Sequence, residues 1–208
     1  MYIDLPIRHF LDKLSSKSPE PGGGSAAALV ATEAAALVGM VCYLTLGKEK
    51  FADVQADIED IRTQSEALRA ELMRLLEEDT VAYAEASAAY KLPKDTDDEK
   101  AVRSEKVQAG LRKATEVPFK IGEAALAVSR LSLPAAEKGN PGAVSDAGVA
   151  ALFADAAVQA AAMNVRINLV SIKDEEYVAD KWTRMQEMMR EAAELRDKVR
   201  EITFHKIG

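Results

Sequence analysis

The sequence predicts an all-α protein, a bundle of long antiparallel helices around a buried, alanine-rich central helix. Three observations support this fold class. Residues 25–46 are nearly uncharged and rich in small apolar side chains, residues 54–86 repeat apolar side chains in helical steps, and no strand of useful length occurs. A helix that is apolar on all sides is buried in protein or in a membrane. The alanine content and Glu33 favour protein. We predict one domain, residues 1–208.

Composition narrows the possible functions. The net charge is −7, and the chain has one cysteine, Cys42, and two histidines, His9 and His205. An acidic chain offers little surface for nonspecific nucleic-acid binding. A single cysteine is consistent with a reducing compartment. With only two histidines and one cysteine, the sequence contains no metal-binding spacing such as HExxH or CxxC. The first residues show no signal peptide. We therefore expect a cytoplasmic protein without a metal site.

The first element is predicted as a short amphipathic helix over residues 3–14, acting as a lid, with its apolar side chains in helical spacing. A glycine-rich turn then opens the central helix, which Gly47 is predicted to stop, with Lys48 just beyond. The turn has two interpretations. It is either an ordinary helix start with a capping residue, or an anion-binding site made by free backbone N–H groups. Its residues are Gly22, Gly23, Gly24 and Ser25.

A long third helix is predicted from residue 52 to residue 90. Its apolar seam alternates steps of four and three residues, which is typical of packed antiparallel helices. Asp79 lies on this seam, whereas its neighbours Glu77 and Glu78 do not. A carboxyl group drawn towards an apolar interface has a raised pKa, which suits a general acid or base. The alternatives are an ion pair with a neighbouring helix, or a seam that opens to solvent at this turn.

A loop and a fourth helix follow. Pro93 ends the third helix, and residues 95–98 supply turn and capping residues. The fourth helix is predicted to run to about Leu133, with Pro118 kinking or dividing it. Lys91 and Lys94, in and beside the loop, are either solvated or bind an anionic substrate.

Two more helices complete the bundle after a turn at residues 139–142. The first, residues 143–170, is rich in small side chains, and the second, residues 175–204, is charged and predicted to lie outside. Asp146 and Asn164 are eighteen residues apart, five whole turns, and so share one face, with Asn168 one turn further on. Ser145 and Asp146 alternatively cap this helix, while the asparagines form hydrogen bonds across the core.

Six sequence blocks carry a resemblance to a known family. They are PGGGSAAA at 21–28, LTLGK at 44–48, EDTVAY at 78–83, LPKDTDDEK at 92–100, GNPGAVSDAGVA at 139–150 and NVRINL at 164–169. In this order they resemble the cyclodeaminase/cyclohydrolase family of folate enzymes. That family includes the C-terminal domain of formiminotransferase-cyclodeaminase and free-standing bacterial methenyltetrahydrofolate cyclohydrolases.

The resemblance implies a homodimer with its active site in a groove between subunits. Its substrate would be a tetrahydrofolate derivative, with a polyglutamate tail as one form, and it would use no cofactor and no metal. Asp79 matches the family's proposed proton donor, and Asp146 is a second candidate for catalysis. The residues expected to bind the tail, the pterin or a water are Gly22, Gly23, Gly24, Ser25, Lys48, Lys91, Lys94, Ser145, Asn164 and Asn168.

Two reactions fit this resemblance. One is the hydrolysis of 5,10-methenyltetrahydrofolate to 10-formyltetrahydrofolate, and the other is the cyclodeaminase reaction, which releases ammonia from formiminotetrahydrofolate and forms 5,10-methenyltetrahydrofolate. We favour hydrolysis, because the sequence shows no fused transferase and its GAVSDAGVA block looks more like the free-standing cyclohydrolases. A non-catalytic helical module that binds folate or a protein is a third possibility, although the presence of Asp79, Lys94 and Asp146 argues for an enzyme.

Overall fold

The structure, a computed structural model, describes all residues from 1 to 208 and contains no β-strand. The prediction that the chain is all-helical is therefore confirmed. The six α-helices are α1 (Ile7–Leu14), α2 (Gly23–Tyr43), α3 (Gln55–Tyr90), α4 (Asp97–Lys138), α5 (Val144–Leu169) and α6 (Glu175–Ile207). Short 3₁₀ turns lie at Tyr2–Asp4, Glu49–Val54 and Pro141–Ala143.

Helix α2 packs against α3, α4 and α5 through a face of small side chains. Twelve of its residues are buried, and seven of these are glycine or alanine, so neighbouring helices approach closely. Helices α2 and α5 are each long and apolar enough to cross a membrane, and 61% and 50% of their most apolar stretches are buried in the bundle. Core helices of a folded domain have this composition too. Gly47 follows α2 with φ of 72°, a conformation that favours glycine.

Helix α3 places its predicted seam against the rest of the bundle. Ile58, Ile61, Leu72 and Leu75 are buried, as are Ser65, Ala82 and Ala86 further along the same seam. Where α3 crosses α4, a Cβ added to Gly110 would lie 3.1 Å from the Cα of Ala86. The small residues at this crossing therefore bring the two backbones together.

The predicted N-terminal helix is shorter than expected, because α1 begins only at Ile7. A residue that precedes proline disfavours the helical conformation, so Pro6 separates the Tyr2–Asp4 turn from the helix. Of the apolar residues assigned to this helix, Phe10 is buried, whereas Leu5 and Leu11 are exposed. No residue of α1 lines the cavity described below, so the structure gives α1 no position as its lid.

Helix α4, in contrast to α1, is longer than predicted, since it continues through both Pro118 and Pro134 to Lys138. Proline has no N–H to donate to the carbonyl four residues earlier, and Pro118 therefore leaves the carbonyl of Ala114 free. The side-chain amide of Asn168 on α5 donates to that carbonyl at 2.7 Å. A tertiary hydrogen bond thus replaces the missing helical one, and burial of Pro118 itself helps to hold the helix together.

The start of α2 creates an unfilled space in the bundle. Gly23 contacts Asn164 of α5, and Gly24 contacts Asp79 of α3. Beyond these contacts α3 continues for eleven residues, to Tyr90, and α5 for five, to Leu169. The volume that a longer α2 would occupy is left as a cavity between α3, α4 and α5.

Candidate active site

A cavity of about 480 Å³ lies at the N-terminal end of α2. Its volume falls within the range of small-molecule sites. The walls are the segment that leads into α2 and the facing sides of α3, α4 and α5. The lining residues are Pro19, Glu20, Gly22, Gly23, Gly24, Asp79, Thr80, Ala82, Tyr83, Ala86, Ser87, Tyr90, Leu111, Ala114, Pro118, Asn164, Ile167, Asn168 and Ser171.

The carboxylate of Asp79 lies against the first turn of α2. Its Oδ2 accepts a hydrogen bond of 2.8 Å from the Ser25 hydroxyl, and the Ser25 backbone N–H also donates to this carboxylate. A Cβ at Gly24 would lie 2.3 Å from Asp79 Oδ1, which is too close for any side chain. The glycine-rich turn therefore packs directly against the chain's own Asp79 carboxyl group.

Two opposing effects act on the pKa of Asp79. Burial is the larger effect and raises the pKa, because desolvation disfavours the charged form, while the hydrogen bonds from Ser25 lower it. The net effect is a raised pKa. No lysine or arginine lies within ion-pair distance, so the structure does not support the alternative that Asp79 is one half of a salt bridge. Asp79 is thus a carboxyl group with a shifted pKa that faces a cavity, as expected of an acid–base residue.

The cavity is rich in hydrogen-bond acceptors and has no cationic lining residue. Besides Asp79, its other charged residue is Glu20. Asn164 donates through Nδ2 to the carbonyl of Ala160 at 2.8 Å, and Asn168 donates to Ala114. Each amide thus uses one of its two N–H groups within the protein, and each Oδ1, to which no donor is assigned, is available as an acceptor. Such a lining suits a cationic ligand with several N–H groups.

The structure brings only part of the predicted site together. Six of the predicted residues line the cavity: Gly22, Gly23, Gly24, Asp79, Asn164 and Asn168. Ser25 does not line it, but its hydroxyl donates a hydrogen bond to the Asp79 carboxylate. Ser145 and Asp146 lie at the other end of α5, about 27 Å from Asn164 at roughly 1.5 Å per residue. Sharing a helix face thus does not bring Asp146 near Asn164.

The three predicted lysines lie outside the cavity. Lys48 follows the C-terminal end of α2, where the amide of Asn140 donates to the Leu44 carbonyl, and so lies near Ser145 rather than Asp79. Lys91 and Lys94 are exposed and follow Tyr90 at the far end of the cavity. Within one chain, none of these cations contacts the cavity lining.

Several lining residues were not predicted from the sequence. Tyr83 and Tyr90 follow Asp79 by four and eleven residues, so helical spacing alone places all three on one side of α3. That signal was available in the sequence. Glu20 and Ser171, by contrast, lie in connecting segments, where no periodicity indicates which way a side chain points. The aromatic rings give the cavity a wall suited to stacking with a flat ligand.

No cysteine or histidine lines this cavity. Cys42 is buried within α2, and burial raises the pKa of its thiol to about 11. A thiol at neutral pH is a poor nucleophile. His9 and His205 are exposed, and neither lines the cavity. The groups available for proton transfer are therefore carboxyl and hydroxyl groups.

Comparison with known proteins finds one matching family, several similar sequences and a similar solved structure. The family described as formiminotransferase-cyclodeaminase matches residues 6–187. A methenyltetrahydrofolate cyclohydrolase from Methylorubrum extorquens is 40% identical over 202 residues, 97% of each chain. The formimidoyltransferase-cyclodeaminase of Rattus norvegicus is 34% identical over 91% of this chain, which spans 35% of the rat protein. A crystal structure of formiminotetrahydrofolate cyclodeaminase from Thermotoga maritima covers the whole of both chains with a TM-score of 0.90 and 26% identity.

Proposed function

The chain belongs to the formiminotransferase-cyclodeaminase family, and from this premise we propose that it hydrolyses 5,10-methenyltetrahydrofolate to 10-formyltetrahydrofolate. A relative that is 40% identical over 97% of each chain is named for this reaction. The observation that carries the proposal is the partly buried carboxylate of Asp79, facing a cavity without a cation. Methenyltetrahydrofolate carries its positive charge on the amidinium group that reacts, so an anionic cavity favours this form.

In the proposed mechanism Asp79 transfers protons at the amidinium carbon. Ionised Asp79 takes a proton from water as the water oxygen bonds to that carbon, and the amidinium becomes a neutral tetrahedral adduct. Protonated Asp79 then gives the proton to N5, and the bond between this carbon and N5 breaks. The hydroxyl of the adduct loses its proton to solvent as the formyl C=O forms on N10. One water is consumed and one proton released. A raised pKa suits a carboxyl group that must act as base and then as acid.

The acceptors of the cavity fit the other end of the substrate. The pterin ring presents an amino group and ring N–H groups, and Asn164 Oδ1, Asn168 Oδ1 and Glu20 are acceptors without an assigned donor. Tyr83 and Tyr90 offer flat surfaces for its rings. We propose no cofactor and no metal for this reaction, because the substrate itself carries the one-carbon unit.

The alternative function is the cyclodeaminase reaction. Here N10 attacks the formimino carbon on N5, ammonia leaves, and 5,10-methenyltetrahydrofolate is formed. Protonated Asp79 would supply the proton to the departing nitrogen. The names of the rat and Thermotoga relatives favour this reaction. The same carboxyl group serves both reactions, so a direct assay must separate them.

We also propose that the chain acts in the cytoplasm as a homodimer with the site near the subunit interface. The supporting observation is an exposed apolar stripe along α5, formed by Val149, Leu152, Met163 and Ile167, and continued by Val170 just after the helix. Ile167 belongs both to this stripe and to the cavity lining. A second copy covering the stripe would therefore border the cavity. The distant residues Lys48, Ser145 and Asp146 join the site in this proposal only if the partner supplies them.

A direct assay tests the proposed function. We expect the purified protein to remove the near-ultraviolet absorption of 5,10-methenyltetrahydrofolate well above the spontaneous rate. A rate equal to the spontaneous one, together with formation of that absorption from 5-formiminotetrahydrofolate, would establish the cyclodeaminase instead. Buffer alone and heat-inactivated protein provide the spontaneous rate for both substrates.

Replacing Ser25 with alanine should shift the pH dependence of the reaction. The hydroxyl favours the ionised form of Asp79, so its loss is expected to raise the pKa of that carboxyl group further. Because the first step needs the ionised form, the acid limb of kcat/KM should move to higher pH. Ser65→Ala removes a buried hydroxyl that binds the Arg62 carbonyl, away from the cavity, and serves as the control. If the acid limb of the kcat/KM profile is the same in Ser25→Ala as in the wild type, ionisation of Asp79 does not determine that limb.

A further inference from the structure

Three residues form one connected arrangement in the cavity wall, where α4 passes α5. Ala114 and Pro118 on α4 and Asn168 on α5 all line the cavity. Pro118 lacks the N–H that would bind the Ala114 carbonyl within the helix, and Asn168 Nδ2 donates to that carbonyl instead, at 2.7 Å. A cavity side chain is therefore bound to a carbonyl that a proline leaves without its helical donor.

The bond to Ala114 determines which way the Asn168 amide faces. An asparagine amide carries two N–H groups on its nitrogen and an accepting oxygen on the other side. With Nδ2 held at α4, Oδ1 receives no hydrogen bond from the protein. Oδ1 is not buried, because every buried side-chain nitrogen or oxygen has a hydrogen-bond partner. Asn168 Oδ1 is therefore an accessible acceptor on a residue that lines the cavity.

Any residue other than proline at position 118 would weaken this arrangement. Its N–H would bind the Ala114 carbonyl along the helix axis, as in a regular α-helix, and would compete with the Asn168 amide. The amide would then turn more freely and present its N–H groups to the ligand as readily as its oxygen. Proline removes the competing donor and so reserves the Ala114 carbonyl for Asn168.

The second proline of α4 has no such partner. Pro134 leaves the carbonyl of Arg130 without its helical donor, and no side chain binds that carbonyl. The guanidinium of Arg130 instead pairs with Glu191 at 2.6 and 2.8 Å. Neither Pro134 nor Arg130 lines the cavity. The side-chain bond to a freed carbonyl is therefore found at the cavity wall and is not a general property of prolines in this helix.

We infer that Pro118 is a positioning residue of the active site, acting through the Ala114 carbonyl to hold Asn168 Oδ1 as the acceptor for an N–H group of the ligand. The inference rests on the proposed function, in which that N–H group belongs to the pterin. Asn168 then recognises the ligand and takes no part in proton transfer. Loss of Pro118 should therefore raise KM and leave kcat unchanged, because this contact is the same in the bound substrate and in the transition state.

A double-mutant cycle on the KM for 5,10-methenyltetrahydrofolate tests the inference. Asn168→Ala should raise KM about tenfold, as loss of one hydrogen bond would, and Pro118→Ala should raise it about threefold. Because Pro118 acts through Asn168, the double variant should have the same KM as Asn168→Ala alone. Additive effects would mean that the proline ring contacts the ligand directly, and that result, or a wild-type KM in Pro118→Ala, would overturn the inference.

Pro134→Ala is the matched control, since it makes the same change on the same helix away from the cavity. Alanine suits a helix interior better than proline, so both single proline variants should fold. Pro134→Ala should keep the KM and kcat of the wild type. An equal rise in KM in both proline variants would identify a general effect on α4 and would also overturn the inference.

Nuclear magnetic resonance tests the position of the amide without turnover. The chain has three asparagines, Asn140, Asn164 and Asn168, so isotope labelling of asparagine gives three side-chain amide signals that single substitutions can assign. Pro118→Ala should shift the Asn168 signal and speed the exchange of its protons with solvent, whereas Pro134→Ala should leave that signal unchanged. An unchanged Asn168 signal in Pro118→Ala would contradict the positioning role.

Binding of tetrahydrofolate, measured by calorimetry, separates this inference from the proposed function. Tetrahydrofolate carries the pterin but no amidinium, so its dissociation constant replaces KM in the same cycle. Weaker binding in Pro118→Ala that disappears in the Asn168→Ala background, with no hydrolysis by the wild type, would support the inference and reject the proposed function. Hydrolysis by the wild type with unchanged binding in Pro118→Ala would support the proposed function and reject the inference.

Discussion

Replacing Asp79 with asparagine is expected to lower kcat by about a hundredfold to ten-thousandfold, the usual contribution of a positioned acid–base group. KM should change far less, because asparagine keeps the shape of the side chain and an oxygen to accept from the Ser25 hydroxyl. The measurement is the steady-state rate with 5,10-methenyltetrahydrofolate. Asp60→Asn, an exposed position on the same helix, is the control and should retain full activity.

The same variant separates a catalytic role from a structural one. Burial raises the folded-state pKa of Asp79, so this carboxyl group favours folding most when protonated, below its unfolded pKa, and the contribution is lost as pH rises through the folded pKa. Asparagine does not ionise and avoids that loss. Asp79→Asn should therefore melt at a higher temperature than the wild type at neutral pH, with the difference shrinking in acid. A lower melting temperature at neutral pH together with equal losses in kcat and in affinity would identify Asp79 as structural.

Replacing Gly24 with alanine should disable the site while leaving the fold intact. The new Cβ would lie 2.3 Å from Asp79 Oδ1 and 2.7 Å from its Cγ, so the carboxylate must move away from the first turn of α2. A displacement of about 1 Å at a reacting group costs about a hundredfold in rate. We therefore expect kcat to fall by about two orders of magnitude, with an unchanged helical circular dichroism spectrum.

Gly39→Ala provides the matched control on the same helix. A Cβ there meets only Ser65 Oγ, at 3.5 Å, an ordinary contact. Alanine is favoured over glycine within a helix by about 0.5–1 kcal/mol, so both variants gain that preference while only Gly24→Ala meets the carboxylate. Gly39→Ala should be fully active and slightly more stable. If Gly24→Ala also keeps its activity, the position of the Asp79 carboxylate does not matter for the reaction.

The sequence was most informative where a side chain interrupted a regular pattern. Asp79 could be identified because its carboxyl group takes an apolar position in the α3 seam, and the structure places it at the cavity. The glycine-rich turn left two interpretations open, an ordinary capped helix start or an anion-binding site, and its partner could not be known, since periodicity does not say which helix end meets which side chain. That Asp79 occupies this site follows only from the packing of α2 against α3.

Other features could not be predicted, because sequence spacing does not determine position in space. Asp146 and Asn164 share a face of α5, but a face extends the whole length of the helix, and the two residues lie near opposite ends. Pro118 was expected to kink or divide α4, because the local rule considers only the lost hydrogen bond. In the structure, the Ala114 carbonyl that lacks its helical donor instead accepts a hydrogen bond from the side-chain amide of Asn168. The tertiary partner of a freed carbonyl cannot be read from the sequence.

The early start of α2 has a consequence for how such sites diversify. The cavity's depth is set by the residue at which one helix begins, and each added helical turn would advance its end by about 5.4 Å. An insertion or deletion in the segment before Gly22 could therefore enlarge or fill the cavity without altering α3, α4 or α5. Asp79 would keep its place relative to the helix end only if a glycine still faced it. Among proteins with this bundle, the length of that segment is thus a direct means of changing substrate size while the proton-transfer group is retained.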